Sequence, residues 1–197
     1  MFNSIFKKLG IITLFSFSLL SLQGCITAAV VGTVAVATKV ATDPRTAGTQ
    51  LDDETLEEKI SLRLGKDAQL KEEARIVVVS YEGKVLLAGQ TMNAVAAQTA
   101  QNITAGVEGV NAVYNEMRIA KKIGAGQMAT DAWITTQVKT QLLANKFIKS
   151  SNVKVFTENG EVFLMGNVST QQAKLVIQIA RHTKGVRKVI TAFHYIK

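Results

Sequence analysis

The chain is poor in the residues on which most enzyme chemistry depends. Its 197 residues include one cysteine, two histidines, one tryptophan and one proline. A lone cysteine, Cys25, excludes an intramolecular disulfide. His182 is expected late on a helix beside Arg181 and Lys184, where a solvated imidazole is the ordinary outcome. His194 alternates with Phe193 and Tyr195, which turns it away from the core face of a strand. Glu158 and Glu161 flank a turn, where carboxylates are expected to be solvated. There is no HExxH, CxxC, GxSxG or P-loop pattern, so neither a nucleophile–base set nor a metal-ligand set can be assembled. The expectation is a protein that is not an enzyme and uses no metal or other cofactor. One proline with 14 glycines also excludes a collagenous or proline-rich disordered chain. What the sequence does have is a formal charge of +8, which suits either nucleic acid or an anionic membrane.

The N-terminus decides between those two. Lys7 and Lys8 precede an apolar run over residues 9–22, and the run ends in Leu22-Gln23-Gly24-Cys25. At 14 residues the run is shorter than the roughly 20 needed to cross a bilayer core, as expected for a secretory signal. Its end resembles a bacterial lipobox, which implies cleavage after residue 24, lipid on Cys25 and a lipidated tether over 25–50. Ile26 follows, rather than the aspartate that retains such proteins at the inner membrane, so the expected location is the outer membrane, facing the periplasm. A secreted, anchored chain leaves little room for nucleic acid, and the basic surplus is read against phospholipid.

The rest of the chain is a repeat. Tyr81-Glu82-Gly83-Lys84-Val85-Leu86-Leu87-Ala88-Gly89 recurs as Glu158-Asn159-Gly160-Glu161-Val162-Phe163-Leu164-Met165-Gly166. Each copy reads as a β-hairpin, whose two turn residues must tolerate positive φ, and Gly89 and Gly166 are expected to end a strand before a helix. Leu56, Ile60 and Leu64 mark the face of a preceding helix, with Asp52, Asp53 and Glu54 placed to favour its N-terminus; Ile134, Val138 and Leu142 repeat that face. A polar loop over 66–74, strands over 76–81 and 84–90, a helix capped by Thr91 or Asn93 and running to about 105, and a strand over 110–119 complete the first unit. Ser169 and Gln172 have the capping-box spacing for the matching helix of the second. The expected fold is α+β: two αββαβ units over 51–120 and 130–197, joined by a linker over 121–129.

The residues Val85-Leu86-Leu87-Ala88-Gly89 with Gly109-Val110, and Val162-Phe163-Leu164-Met165-Gly166 with Gly185-Val186, resemble the BON domain. The resemblance implies, for each unit, a three-stranded mixed sheet with two helices on one face. A lipobox followed by two such units is similar to the dual-BON outer-membrane lipoproteins. That implies a non-enzymatic envelope protein which binds anionic phospholipid, supports membrane integrity and gathers at division sites.

Subtracting one unit from the other locates a candidate site. Residues 51–120 hold 7 basic and 11 acidic side chains, net −4, whereas 130–197 hold 10 basic and 3 acidic, net +7. A basic side chain held near an anionic leaflet gains about 1 kcal/mol, so the second unit is the one expected to meet lipid. On its first helix, Trp133, Thr136, Thr140 and Leu143 share an uncharged face about 140° from the core face, bordered by Lys139 and Lys146. The first unit has Thr55, Glu58, Leu62 and Gly65 at the matching places. Trp133, Thr136, Lys139, Thr140, Leu143 and Lys146 are therefore the candidate phospholipid-binding residues, for phosphatidylglycerol or cardiolipin. The competing expectation is that Trp133 packs on the first unit or the linker.

The outer sheet faces pose a second question. Val79, Leu86 and Ala88, and likewise Phe156, Phe163 and Met165, point away from the helices and are apolar. Packing of the two units on each other is the ordinary answer. The alternative is a periplasmic adaptor that docks an envelope or division protein through the first unit or an exposed sheet face.

Overall fold

The computed structural model describes residues 47–196. The signal run, Cys25 and most of the tether lie outside the described residues. Each unit follows the order α, β, β, α, β. In the first, α1 (Ala47–Leu64) and a short α2 (Ala68–Glu73) precede β1 (Arg75–Tyr81), β2 (Lys84–Thr91), α3 (Ala94–Ala105) and β3 (Ala112–Ile119). In the second, α4 (Ala125–Ala144) and a 3-10 turn (Ser150–Asn152) precede β4 (Val153–Glu158), β5 (Glu161–Val168), α5 (Thr170–His182) and β6 (Lys188–Tyr195). The middle strand of each sheet pairs antiparallel with the strand before it and parallel with the last one. Both sheets are thus mixed and three-stranded.

Several boundaries differ from the sequence expectation. α1 starts at Ala47 and α4 at Ala125, so helix extends into the stretches read as tether and linker. Asp52, Asp53 and Glu54 consequently lie beyond the first turn of α1, which holds no acid. The loop expected over 66–74 contains α2, whose N-cap Asp67 accepts a hydrogen bond from the Leu70 amide at 2.9 Å. That carboxylate satisfies a donor which a free helix end would leave open. Asn93, not Thr91, caps α3 by accepting from the Ala96 amide, and the capping box at Ser169 and Gln172 is present.

Alternation along the strands gives three apolar layers. Leu56, Ile60 and Leu64 of α1 with Ala96 and Ala100 of α3 cover Val85 and Leu87, closing the first core. Ile134, Val138 and Leu142 with Ala173, Val176 and Ala180 cover Val162 and Leu164 in the second. The opposite sheet faces cover each other: Val79, Tyr81, Leu86 and Ala88 meet Phe163 and Met165 in one buried cluster. Phe156 and Phe163 stack within it, with ring centroids 4.7 Å apart. The two units therefore form one sandwich, with helices on both outer sides. Among the described residues, the apolar centres of the two outer sheet faces are buried against each other.

Two glycine pairs make the repeated geometry possible. Glu82 and Gly83, and Asn159 and Gly160, all have positive φ, as a two-residue type I′ turn requires. Gly89 and Gly166 were expected to end a strand before a helix; both instead lie inside the middle strand. A Cβ on either would stand 1.9 Å from a carbonyl oxygen of the neighbouring strand, of Arg75 or of Asn152. Close backbone approach, in addition to positive φ, demands glycine there.

Candidate functional site

The first helix of each unit carries one buried aspartate that holds the hairpin turn. Asp53 accepts from the Ser80 hydroxyl at 2.7 Å and from the amides of Glu82 and Gly83 at 2.8 and 3.0 Å. Asp131, 78 positions later, accepts from the amides of Asn159 and Gly160 at 2.6 and 2.8 Å, and from Gln127 at 2.9 Å. A buried carboxylate is tolerated when several donors replace its lost water. The recurrence of one acid at the same helical place was the available sequence signal for this device.

Asp131 is also the only acid on α4, and it points inward at 3% exposure. The other two acids of the second unit also face the first unit. Glu158, expected to be solvated, is 5% exposed; it takes Arg75 Nε at 2.9 Å and Nη2 at 3.2 Å, with Gln90 Nε2 at 2.9 Å. Glu161, likewise expected to be solvated, accepts from Arg118 Nη2 at 2.6 Å, and this bond raises the affinity of the guanidinium for its proton. The physical reason for both corrections is that each hairpin turn abuts the other unit. Asn167 donates to Glu82 across the seam at 2.8 Å in the mirrored arrangement. Lys154 of the second unit is also drawn into the seam, to Glu57 at 2.6 Å and the Ser80 carbonyl at 2.9 Å.

The outward surface of the second unit is left with one sign of charge. Lys139, Lys146, Lys149, Lys174, Arg181, Lys184, Arg187 and Lys188 are all exposed, and among the described residues of that unit no carboxylate is. Trp133, Thr136, Lys139, Thr140 and Leu143 stand on the outward side of α4, whereas Lys146, expected on the same helix, lies in the turn beyond its end at Ala144 and is exposed there. Trp133 is 48% exposed and Leu143 72%. The helix that carries them is held by Ile134, Val138 and Leu142 in the core, so the outer stripe has a fixed orientation. Trp133 is not enclosed by the first unit or the linker. One apolar side chain of this surface was missed: Phe147, 68% exposed, in the turn just beyond the end of α4. The lysines near it, Lys146 and Lys149, were the signal that could have found it.

His182 and His194 are both exposed and stand 12 positions apart on α5 and β6. Among the described residues no group of His, Cys, Asp or Glu is placed to hold a metal ion, and no helix is long and apolar enough to cross a membrane. A cleft of about 610 Å³ lies against α1 between Asp52, Lys59, Glu82 and Glu108, with no nucleophile–base pair among its lining residues.

Two αββαβ units, each with a mixed three-stranded sheet and a glycine-dependent hairpin, define the BON class of domain. The chain belongs to the BON-domain family, which it matches over residues 52–121 and 130–197. It is a dual-BON protein similar to the outer membrane lipoprotein DolP of Haemophilus influenzae, with 53% identity over 89% of this chain and 90% of that one. It is 56% identical to a 21 kDa hemolysin of Actinobacillus pleuropneumoniae, over 79% of this chain and 80% of the relative. Osmotically-inducible protein Y of Escherichia coli is 30% identical over 77% of this chain and 76% of its own. These likenesses support an envelope-associated lipoprotein and point to a non-enzymatic protein.

Proposed function

We propose that this protein is anchored to the outer membrane through a lipid on Cys25 and binds anionic phospholipid with the outward face of α4. The observation that carries this reading is the inward turn of every acid in the second unit. Asp131 holds a hairpin, Glu158 and Glu161 pair with arginines of the first unit, and the outer surface keeps lysine and arginine alone. An exposed tryptophan among lysines suits the headgroup boundary, where the ring leaves water and the indole N–H stays hydrated. Basic side chains add about 1 kcal/mol each near an anionic leaflet, so a handful suffices for reversible contact. Held at the membrane by its tether, the protein would use α4 to orient itself on phosphatidylglycerol or cardiolipin, which supports envelope integrity and suits enrichment at division sites.

Both cores are built from residues within 47–196, so a fragment over 46–197 can be tested without its anchor. Flotation with vesicles containing phosphatidylglycerol or cardiolipin is expected to carry the fragment up at low salt and much less at high salt. Equal flotation with purely zwitterionic vesicles, or binding indifferent to salt, would rule the electrostatic mechanism out.

A further inference from the structure

The segment that follows α4 is built to present one aromatic ring to the same surface. The run is Lys146-Phe147-Ile148-Lys149. Ile148 is buried in the core of the second unit, and its amide donates to the Asn145 carbonyl at 3.1 Å. The Asn145 side chain accepts from the Phe147 amide at 3.0 Å, closing an Asx-type turn directly after the helix. With Ile148 drawn inward and the turn closed, the neighbouring Phe147 is directed outward. Its exposure is thus imposed by the fold. The Lys146 ammonium lies 5.1 Å from the centre of the Phe147 ring, and Lys149 is exposed on the other side.

The first unit shows what the same turn looks like without this feature. Asp67 stands where Asn145 does, and Leu70, buried like Ile148, fills the matching core place. The residues at the places of Lys146 and Phe147 are Ala68 and Gln69, both on α2. The inward residue is common to both units; the outward aromatic beside a lysine belongs to the second alone.

We infer that the turn after α4 is a second membrane-insertion point, with Phe147 as the side chain that enters the acyl boundary of an anionic bilayer. This rests on the phospholipid reading of α4 and extends it. Trp133 and Leu143 are ten positions apart, about 15 Å along the helix, and Phe147 lies beyond them. Contact at both ends would lay the helix flat on the surface, whereas contact at Trp133 alone would leave it free to tilt. A phenyl ring gains from leaving water, and the lysines on either side reach headgroup phosphates while their stems lie along the boundary.

Trp133 is the only tryptophan, so its emission reports one end of the helix and a relocated tryptophan reports the other. The fragment 46–197, and its Trp133→Phe/Phe147→Trp variant, would be titrated with phosphatidylglycerol vesicles containing brominated acyl chains. The expected result is a blue shift and bromine quenching from Trp133 in the parent and from the ring at 147 in the variant. Phe147→Gln should bind the same vesicles about tenfold more weakly, while Phe147→Leu retains most of the affinity. If Trp133 is quenched and the ring at 147 is not, the insertion point is refuted and the α4 reading stands. If neither is quenched, both fail.

Discussion

The two BON units share a backbone and a core but differ in everything they show to solvent. α1 and α4 each place three apolar residues in the core and one aspartate under a hairpin. On the outward side the first carries Glu58, Leu62 and Gly65 where the second carries Thr136, Thr140 and Leu143. The difference arises partly at the seam. The first unit contributes Arg75 and Arg118 to neutralise Glu158 and Glu161, and in doing so removes the last acids from the surface of the second. The first unit thus has an electrostatic role in shaping the second one's surface.

The largest expected effect tests where the units must be alike. Gly89→Ala and Gly166→Ala each force a Cβ against a strand carbonyl at a positive φ. Each should cost about 4 kcal/mol in urea unfolding, or prevent folding altogether. Gly126→Ala, on α4 with open space around it, should be neutral or slightly stabilising. A tolerated alanine at one of the two positions would mean that the repeat geometry is not shared.

Next comes the comparison of outer helix faces. Trp133→Glu should weaken binding to phosphatidylglycerol vesicles by at least about tenfold, because it puts a desolvated carboxylate where a ring met the boundary. Leu62→Glu, on the outward face of α1, should leave that binding unchanged. Circular dichroism would confirm that both variants stay folded. Equal losses from the two would break the assignment of lipid contact to the second unit.

How much of this was legible in the residues alone follows from the range of the forces involved. The hairpins, core faces and caps depend on neighbours a few positions away, and Asn159-Gly160 or Ser169 with Gln172 reveals them directly. The candidate face of α4 was equally legible, since helical spacing brings Trp133, Thr136, Thr140 and Leu143 together. Glu158 and Glu161 were misread because their partners, Arg75 and Arg118, lie 83 and 43 positions away. Nothing local separates a turn carboxylate in water from one against another sheet. Phe147 was passed over for a related reason: α4 ends at Ala144, and a periodicity argument stops with the helix.

A smaller effect addresses the seam itself. Arg75→Ala leaves Glu158 buried with Gln90 as its remaining cross-unit donor. Removing one partner of a buried pair is more costly than the pair is favourable, but the Arg75 side chain is 31% exposed and water can enter. A loss of about 2 kcal/mol in unfolding free energy is expected, with a modest drop in vesicle affinity as the acid becomes unmasked. Glu158→Gln in the same background should restore most of that affinity. If Arg75→Ala left both stability and binding intact, the seam would not be shaping the charge of the second unit.

The smallest effects separate charge from apolar contact. Lys146→Gln and Lys149→Gln should each weaken vesicle binding about fivefold at low salt, following a gain of about 1 kcal/mol per basic residue near the leaflet. Raising the salt shortens the screening length to a few ångströms and should bring the variants close to the parent. Lys59→Gln and Lys66→Gln remove the same charge from exposed positions on and after α1, among acids that already cancel it. They should change binding by less than about twofold. Net charge falls by one in all four variants, so a difference between the pairs can come only from where the charge sits. Equal losses from both pairs would indicate a diffuse attraction of the whole molecule, and the face of α4 would then be one part of a general basic surface.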